Sequence, residues 1–227
     1  MLHQLQSKQH REEANKPTRK GLFISLEGNI GSGKSTTLSL LPSSYNKIPE
    51  PVDRFTNFDG FNPLQLAYED PATCGPICQM HIMDCIANCE LNLDKNDVTI
   101  SERSLYSTRC FILTQEQLGI FHPFTSKYLL QKLQEMLLPL PKPDYTIFLL
   151  ASPELCKKHV EARRRPGESE ISLEYLQTLD SVMSKVFLQE KNNVSIILTE
   201  CMSKEDVASK VNTVVCQLLR EHEKMLR

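Results

Sequence analysis

The residues Gly28-Asn29-Ile30-Gly31-Ser32-Gly33-Lys34-Ser35 follow the spacing G-x-x-x-x-G-K-[ST] in full. The chemistry this spacing allows is the holding of phosphate. Glycines let the backbone curl until its N–H groups point inward at phosphate oxygens, beside the positive end of a helix. Lys34 can then neutralise the β and γ phosphates, and the Ser35 hydroxyl can ligate Mg²⁺. The context is the one the pattern needs. Gly21 to Glu27 is an apolar run that reads as a buried strand, and Thr36 to Leu41 continues as a helix that Pro42 stops. A nucleoside-triphosphate site with Mg²⁺ is the expectation.

Further charged groups stand where strands should end. Pro51 forces extended backbone on Glu50, so its carboxylate leaves the carboxyl end of a short strand, where open parallel sheets bind ligands. On the residues alone, a surface Glu before a turn competes with that reading. A second buried strand, 97–102, runs into Glu102-Arg103-Ser104, and a carboxylate there suits Mg²⁺ through water. Arg163-Arg164-Arg165-Pro166-Gly167 would ordinarily be a solvated turn. Beside a phosphate loop it can instead screen the charge of a moving phosphoryl group. Cys74, Cys78, His81, Cys85 and Cys89 line one helix face, which cannot wrap a tetrahedral ion, so they read as a packing stripe.

The elements that must carry these groups follow from periodicity. With 227 residues, 40% of them hydrophobic, the chain suffices for one α/β domain with a substantial core. A net charge of −2 gives no global field for nucleic acid or membrane, and no apolar run approaches a membrane span. Residues 1–20 carry five Lys/Arg against two Glu and lack an apolar centre, so a disordered tail is expected there. Glu12 and Glu13 argue against a mitochondrial presequence, which leaves a cytoplasmic protein as the expectation. Helices are expected at 63–68, 75–93, 105–118, 123–138, 153–165, 171–191 and 203–223, strands at 46–50, 144–150 and 194–199, and a polar loop over 54–62. Such alternation predicts a P-loop kinase fold: a five-stranded parallel sheet with helices on both faces, as a single domain over 21–227.

With Glu50-Pro-Val, Glu102-Arg-Ser-x-Tyr-Ser107, Ile171-x-Leu-Glu-Tyr-Leu176 and the arginine turn in view, the chain resembles the deoxynucleoside kinase family from about 21 to 219. The resemblance implies transfer of the γ-phosphate of ATP to the 5′-hydroxyl of a deoxyribonucleoside. It makes Glu50 the group that accepts the hydroxyl proton and Arg103 the arginine that holds that end of the nucleoside. Gln79 corresponds to the amide that pairs with the base, Tyr68 and Glu168 to the pair on the 3′-hydroxyl, and Arg163 and Arg165 to lid arginines within 163–170. Phe55, Ile82, Ile86 and Thr108 correspond to pocket walls. The last two replace an Arg–Asp pair of the deoxycytidine branch, which implies a thymidine-accepting pyrimidine kinase. Departures fall at two base-stacking positions, now Cys78 and Ile112 with Phe111 adjacent, and at His159, a cationic position in relatives. A homodimer through helices 75–93 and 123–138 is also implied, with no nucleic acid or membrane partner. Three alternatives share parts of this pattern: a nucleoside monophosphate kinase, a non-catalytic structural protein on the same fold, and a GTPase, for which no N-K-x-D motif is present.

Overall fold

Phe23–Gly28 (β1) is buried at every position, as a central strand covered on both faces must be. The structure, a computed structural model, describes residues 21–91, 93, 98–165, 168, 171–189 and 193–225. The expected tail at 1–20, the first residue of the second strand and four positions of the arginine turn lie outside the described residues. Around β1 stand Asn46–Ile48 (β2), Thr99–Glu102 (β3), Tyr145–Leu150 (β4) and Val194–Leu198 (β5). They pair in the order β2-β3-β1-β4-β5, parallel throughout. The expected five-stranded parallel sheet is therefore the one observed.

Period-two alternation along each strand divides the core. Ile24 and Leu26 of β1, Ile100 of β3 and Ile147 and Leu149 of β4 pack with Leu38 of Lys34–Leu40 (α1) and with Val207, Val211 and Val215 of Lys204–Met225 (α9). Phe148 packs on the opposite face with Cys110 of Thr108–Gln117 (α5) and with Leu179, Val182, Met183 and Phe187 of Leu173–Gln189 (α8). A separate cluster joins Phe55, Met83, Ile86, Ile112, Leu129 and Leu133. It lies among Val52–Phe55 (α2), Gly75–Glu90 (α4), α5 and Pro123–Leu137 (α6), with Pro63–Glu69 (α3) beside α4 and Pro153–Arg163 (α7) against α8.

The expected helices and strands appear with their ends shifted by a few residues. One element differs in kind: residues 52–55 form a helical turn that runs into the loop expected over 54–62. Burial of Phe55, 4% exposed, holds it, and four residues are too few to leave a periodic signal. The stretch 105–118 begins as a 3₁₀ turn, Leu105–Ser107, before α5.

Two glycines of the phosphate loop are fixed by different causes. Gly28 has φ +145° and a side chain there would meet Leu149 O at 2.5 Å, because β1 and β4 pair at that point. Gly33 has φ +93° with open space around it. Gly28→Ala therefore forces two backbones apart and should cost about 2 kcal/mol or more, whereas Gly33→Ala should cost only left-handed strain, about 1 kcal/mol. Thermal unfolding of the two variants checks this; equal losses would contradict the assignment.

Candidate active site

The carboxyl ends of β1, β2 and β3 open onto one cavity of about 700 Å³. It is lined by the phosphate loop from Ile30 to Thr36, by Glu50, Glu102 and Arg103, and by Phe55, Tyr68, Gln79, Ile82 and Ile86. Arg163, Arg165 and Glu168 line it too. Groups separated by more than a hundred residues in sequence thus share one space.

Glu50 and Arg103 are an ion pair, Arg103 Nε lying 3.0 Å from Glu50 Oε1. The Nε–H is not aimed along that vector, so the contact is electrostatic rather than an aligned hydrogen bond. Arg103 Nη1 donates to Gly28 O at 3.0 Å, and the guanidinium lies over the Phe111 ring, 4.8 Å from its centre. This arginine is fixed on three sides while Glu50 keeps a side chain 20% exposed to the cavity.

Lys34 is 4% exposed, and its ammonium donates to Asn29 O at 2.7 Å and to Gly28 O at 3.1 Å. Burial, with Arg103 adding repulsion, lowers its pKa to about 8. Ser35 Oγ donates to Glu102 Oε1 at 2.6 Å. A hydroxyl and a carboxylate side by side at the loop are hard oxygen donors of the kind that suit Mg²⁺, so this pair fits that ion. Alternation on β3 puts Glu102 on the α1 face with Ile100, and Arg103 follows the strand's last residue at a left-handed bend.

Glu168, 3% exposed, receives Arg163 Nη2 at 2.6 Å and Arg165 Nη1 at 3.0 Å. The lid arginines therefore rest on the carboxylate expected to meet a sugar. Burial raises the Tyr68 and Tyr175 phenols well above their ordinary range, which keeps both neutral donors. Gln79 is 8% exposed and no hydrogen bond joins its amide to another described residue, so its donor and acceptor are left for a ligand. His159 Nδ1 lies 2.7 Å from Gly31 O, which assigns the proton to that nitrogen.

Three expected residues do not line the cavity. Gly28 contributes its carbonyl inward to Lys34 and Arg103. Asn29 is buried, with its amide donating to Leu176 O at 2.9 Å, so it anchors the loop to α8. Thr108 is 2% exposed at the first turn of α5 and faces the interior instead. Ile112 likewise belongs to the core, and Phe111 is the aromatic side chain that reaches the cavity. Cys78 lines it, with burial pushing its thiol up to about 12, so it acts as an inert wall. Sequence reasoning missed Gln115, Phe121, Tyr175 and the segment after β5, including Thr199, Cys201 and Lys204. The last was accessible from the rule that ligands gather at strand carboxyl ends, and Tyr175 stands within the Ile171–Leu176 motif; Gln115 and Phe121 carried no local signal. Among the described residues no group of three or more His, Cys, Asp or Glu could hold a metal ion, the cysteine stripe included, and His81 instead meets Arg54 O at 2.9 Å.

The model of the family described as deoxynucleoside kinase matches residues 24–222. The chain is similar to the thymidine kinase of Ictalurid herpesvirus 1, 28% identical over 204 residues and covering 87% of each chain. It is 28% identical over 164 residues to mitochondrial thymidine kinase 2 of Homo sapiens, covering 70% of this chain and 62% of that one. With the deoxyguanosine kinase of Dictyostelium discoideum it shares 29% over 192 residues, 81% of this chain and 65% of that one. In fold it is similar to a solved deoxyadenosine kinase from M. mycoides, at a TM-score of 0.74 and 17% identity, over 86% of this chain and 98% of that one.

Glu27 gives the site a measurable pH signature. It is fully buried, and burial raises its carboxyl from the ordinary 4.5 to about 7, against the opposing pull of Arg103, Ser104, Ser107 and Lys34. The folded state therefore holds a proton that the unfolded chain releases earlier. Stability linked to this group is full below about pH 4.5 and declines as pH rises to about 7. Lys34 acts in a separate window: its penalty is present below about pH 8 and is relieved as pH rises toward 10.5. Denaturation from about pH 5 to pH 7.5 should show a decline that Glu27→Gln removes; an unchanged slope would contradict the burial argument.

Proposed function

The chain belongs to the deoxynucleoside kinase family and is an ATP-dependent nucleoside kinase acting on the 5′-hydroxyl, and we propose that the Glu50–Arg103 pair is where that hydroxyl is received. The observation that supports this most is the single cavity that joins the phosphate loop to Glu50, Arg103 and Gln79.

In this reading Glu50 accepts the proton of the 5′-hydroxyl as the oxygen attacks the γ-phosphorus. Arg103 holds the carboxylate in place, and the oxygen approaches in line with the leaving diphosphate. The transition state of phosphoryl transfer is loose, so positioning the hydroxyl matters more than a strong base. The amides from Gly31 to Ser35 and the Lys34 ammonium hold the triphosphate, with Lys34 turning from the Gly28 and Asn29 carbonyls to phosphate oxygens. Ser35 and Glu102 would hold Mg²⁺, which supplies charge neutralisation on the phosphates. Arg163 and Arg165, at rest on Glu168, reach the moving phosphoryl group, and Glu168 with Tyr68 takes the 3′-hydroxyl. Gln79 pairs with the base edge through one donor and one acceptor.

For the base, we propose a pyrimidine of the thymidine type. Ile82, Ile86 and Phe55 give the base region an apolar wall with no charged pair to exclude a 5-methyl group. We further propose a homodimer through α4 and α6, whose Ile77 and Phe124 are 71% and 72% exposed. The eight free cysteines accord with a reducing compartment, and the cytoplasm is the proposed one. No helix among the described residues is long and apolar enough to cross a membrane.

Three outcomes are expected. Glu50→Gln should lower kcat by about 100-fold or more while the KM for ATP stays within about threefold, read with labelled ATP and a panel of nucleosides and their monophosphates. Thymidine should lead the panel; turnover of monophosphates alone would replace this reading with that of a monophosphate kinase. Arg163→Ala should lower kcat more than it raises nucleoside KM, because its partner charge is greatest during transfer. A pure binding defect would move Arg163 out of the chemistry.

A further inference from the structure

Arg103 stands in the left-handed region at φ +63°. That conformation costs a residue with a side chain about 1 kcal/mol or more and persists only where the surroundings over-determine it. Both working contacts of Arg103 depend on this bend, since it turns the side chain out of the strand toward Glu50 and Gly28 O. Local bonds account for part of the restraint: Arg103 N–H donates to Leu26 O at 3.0 Å, and the Ser101 hydroxyl donates to Arg103 O. The rest comes from a side chain on another strand. Glu27 Oε1 accepts the Ser104 N–H at 2.9 Å and the Ser104 hydroxyl at 2.8 Å.

Glu27 is an unusual group to spend on a turn. It is 0% exposed, its Oε2 has no hydrogen-bond partner among the described residues, and burying a carboxylate is costly unless something answers its charge. Arg103 and Lys34, the two cations of the site, offset only part of that cost. Its own position follows from alternation on β1: Leu26 faces α1 and α9, so Glu27 faces the side on which Arg103 emerges from β3. The same three residues, 102 to 104, carry Glu102 against Ser35 and Arg103 against Glu50. A shift of this turn would move both contacts together.

We propose that Glu27 is a positioning residue of the transfer reaction: by taking both Ser104 donors on one oxygen it holds the bend that aims Arg103 at Glu50. The proposal rests on the reading of Glu50 and Arg103 given under Proposed function. It concerns geometry, so an amide that keeps the acceptor oxygen should serve nearly as well as the carboxylate.

The test is a double-mutant cycle on steady-state rates with ATP and thymidine. Glu27→Leu should lower kcat by about tenfold or more with KM for ATP within about twofold, and Glu27→Gln should recover most of that loss. In an Arg103→Ala background, Glu27→Leu should add less than about twofold, because its effect passes through Arg103. If Glu27→Leu does not fold, Ser104→Ala removes one of the two bonds and should lower kcat by about threefold, again only while Arg103 is present. Losses that multiply in the Arg103→Ala background, or a variant that loses only melting temperature, would overturn the proposal and leave the site reading intact. Normal turnover by Arg103→Ala alone would overturn the site reading and this proposal with it.

Discussion

Two cations share one carbonyl oxygen in this protein. Lys34 Nζ and Arg103 Nη1 both donate to Gly28 O, at 3.1 and 3.0 Å, from positions that are each 4% exposed. Like charges held that close with little water repel strongly. The Glu50 and Glu102 carboxylates beside them offset part of that repulsion. Charge in the site is therefore in place before any phosphate arrives, and little reorganisation is left for the moment of reaction.

The fold supplies that balance through the two-residue period of its strands. At the tip of β3, Glu102 and Arg103 are adjacent in sequence, yet one faces Ser35 on α1 and the other faces Glu50 and Phe111. At the tip of β1, Leu26 enters the core under α1 while Glu27 turns to the Arg103 side. A one-residue slip of β1 or β3 would turn Glu27 or Glu102 to the wrong face and break its contact with Ser104 or Ser35. Burial of β1 and β3 makes such a slip costly, so the hydrophobic core that stabilises the sheet also fixes the chemistry at its edge.

How much of this was legible in the chain depended on how local the cause was. The phosphate loop is written in eight consecutive residues, and Ile30 through Thr36 line the cavity together. Glu50 is less local: on the residues alone a surface Glu before a turn competes, and the family resemblance is what favours the site. The sheet followed from strand and helix periodicity. Partnerships across the sheet were not readable: nothing near Gly28 announces Leu149, and nothing near Asn29 announces Leu176. Thr108 shows the other limit. Its place in the pocket came from resemblance, and the first turn of α5 buries it while Phe111, one turn on, lines the cavity. Residues 52–55 failed for length, since one helical turn held by Phe55 has no period to read.

The most direct test is a crystal structure with a bisubstrate analogue that joins the 5′-oxygen of thymidine to adenosine through a chain of phosphates. The account predicts that the chain leaves the amides of Gly31 to Ser35 and ends with the 5′-oxygen about 3 Å from the Glu50 carboxylate, with the base against Gln79. Phosphates bound in the loop while the 5′-oxygen lies beyond reach of Glu50 would contradict it.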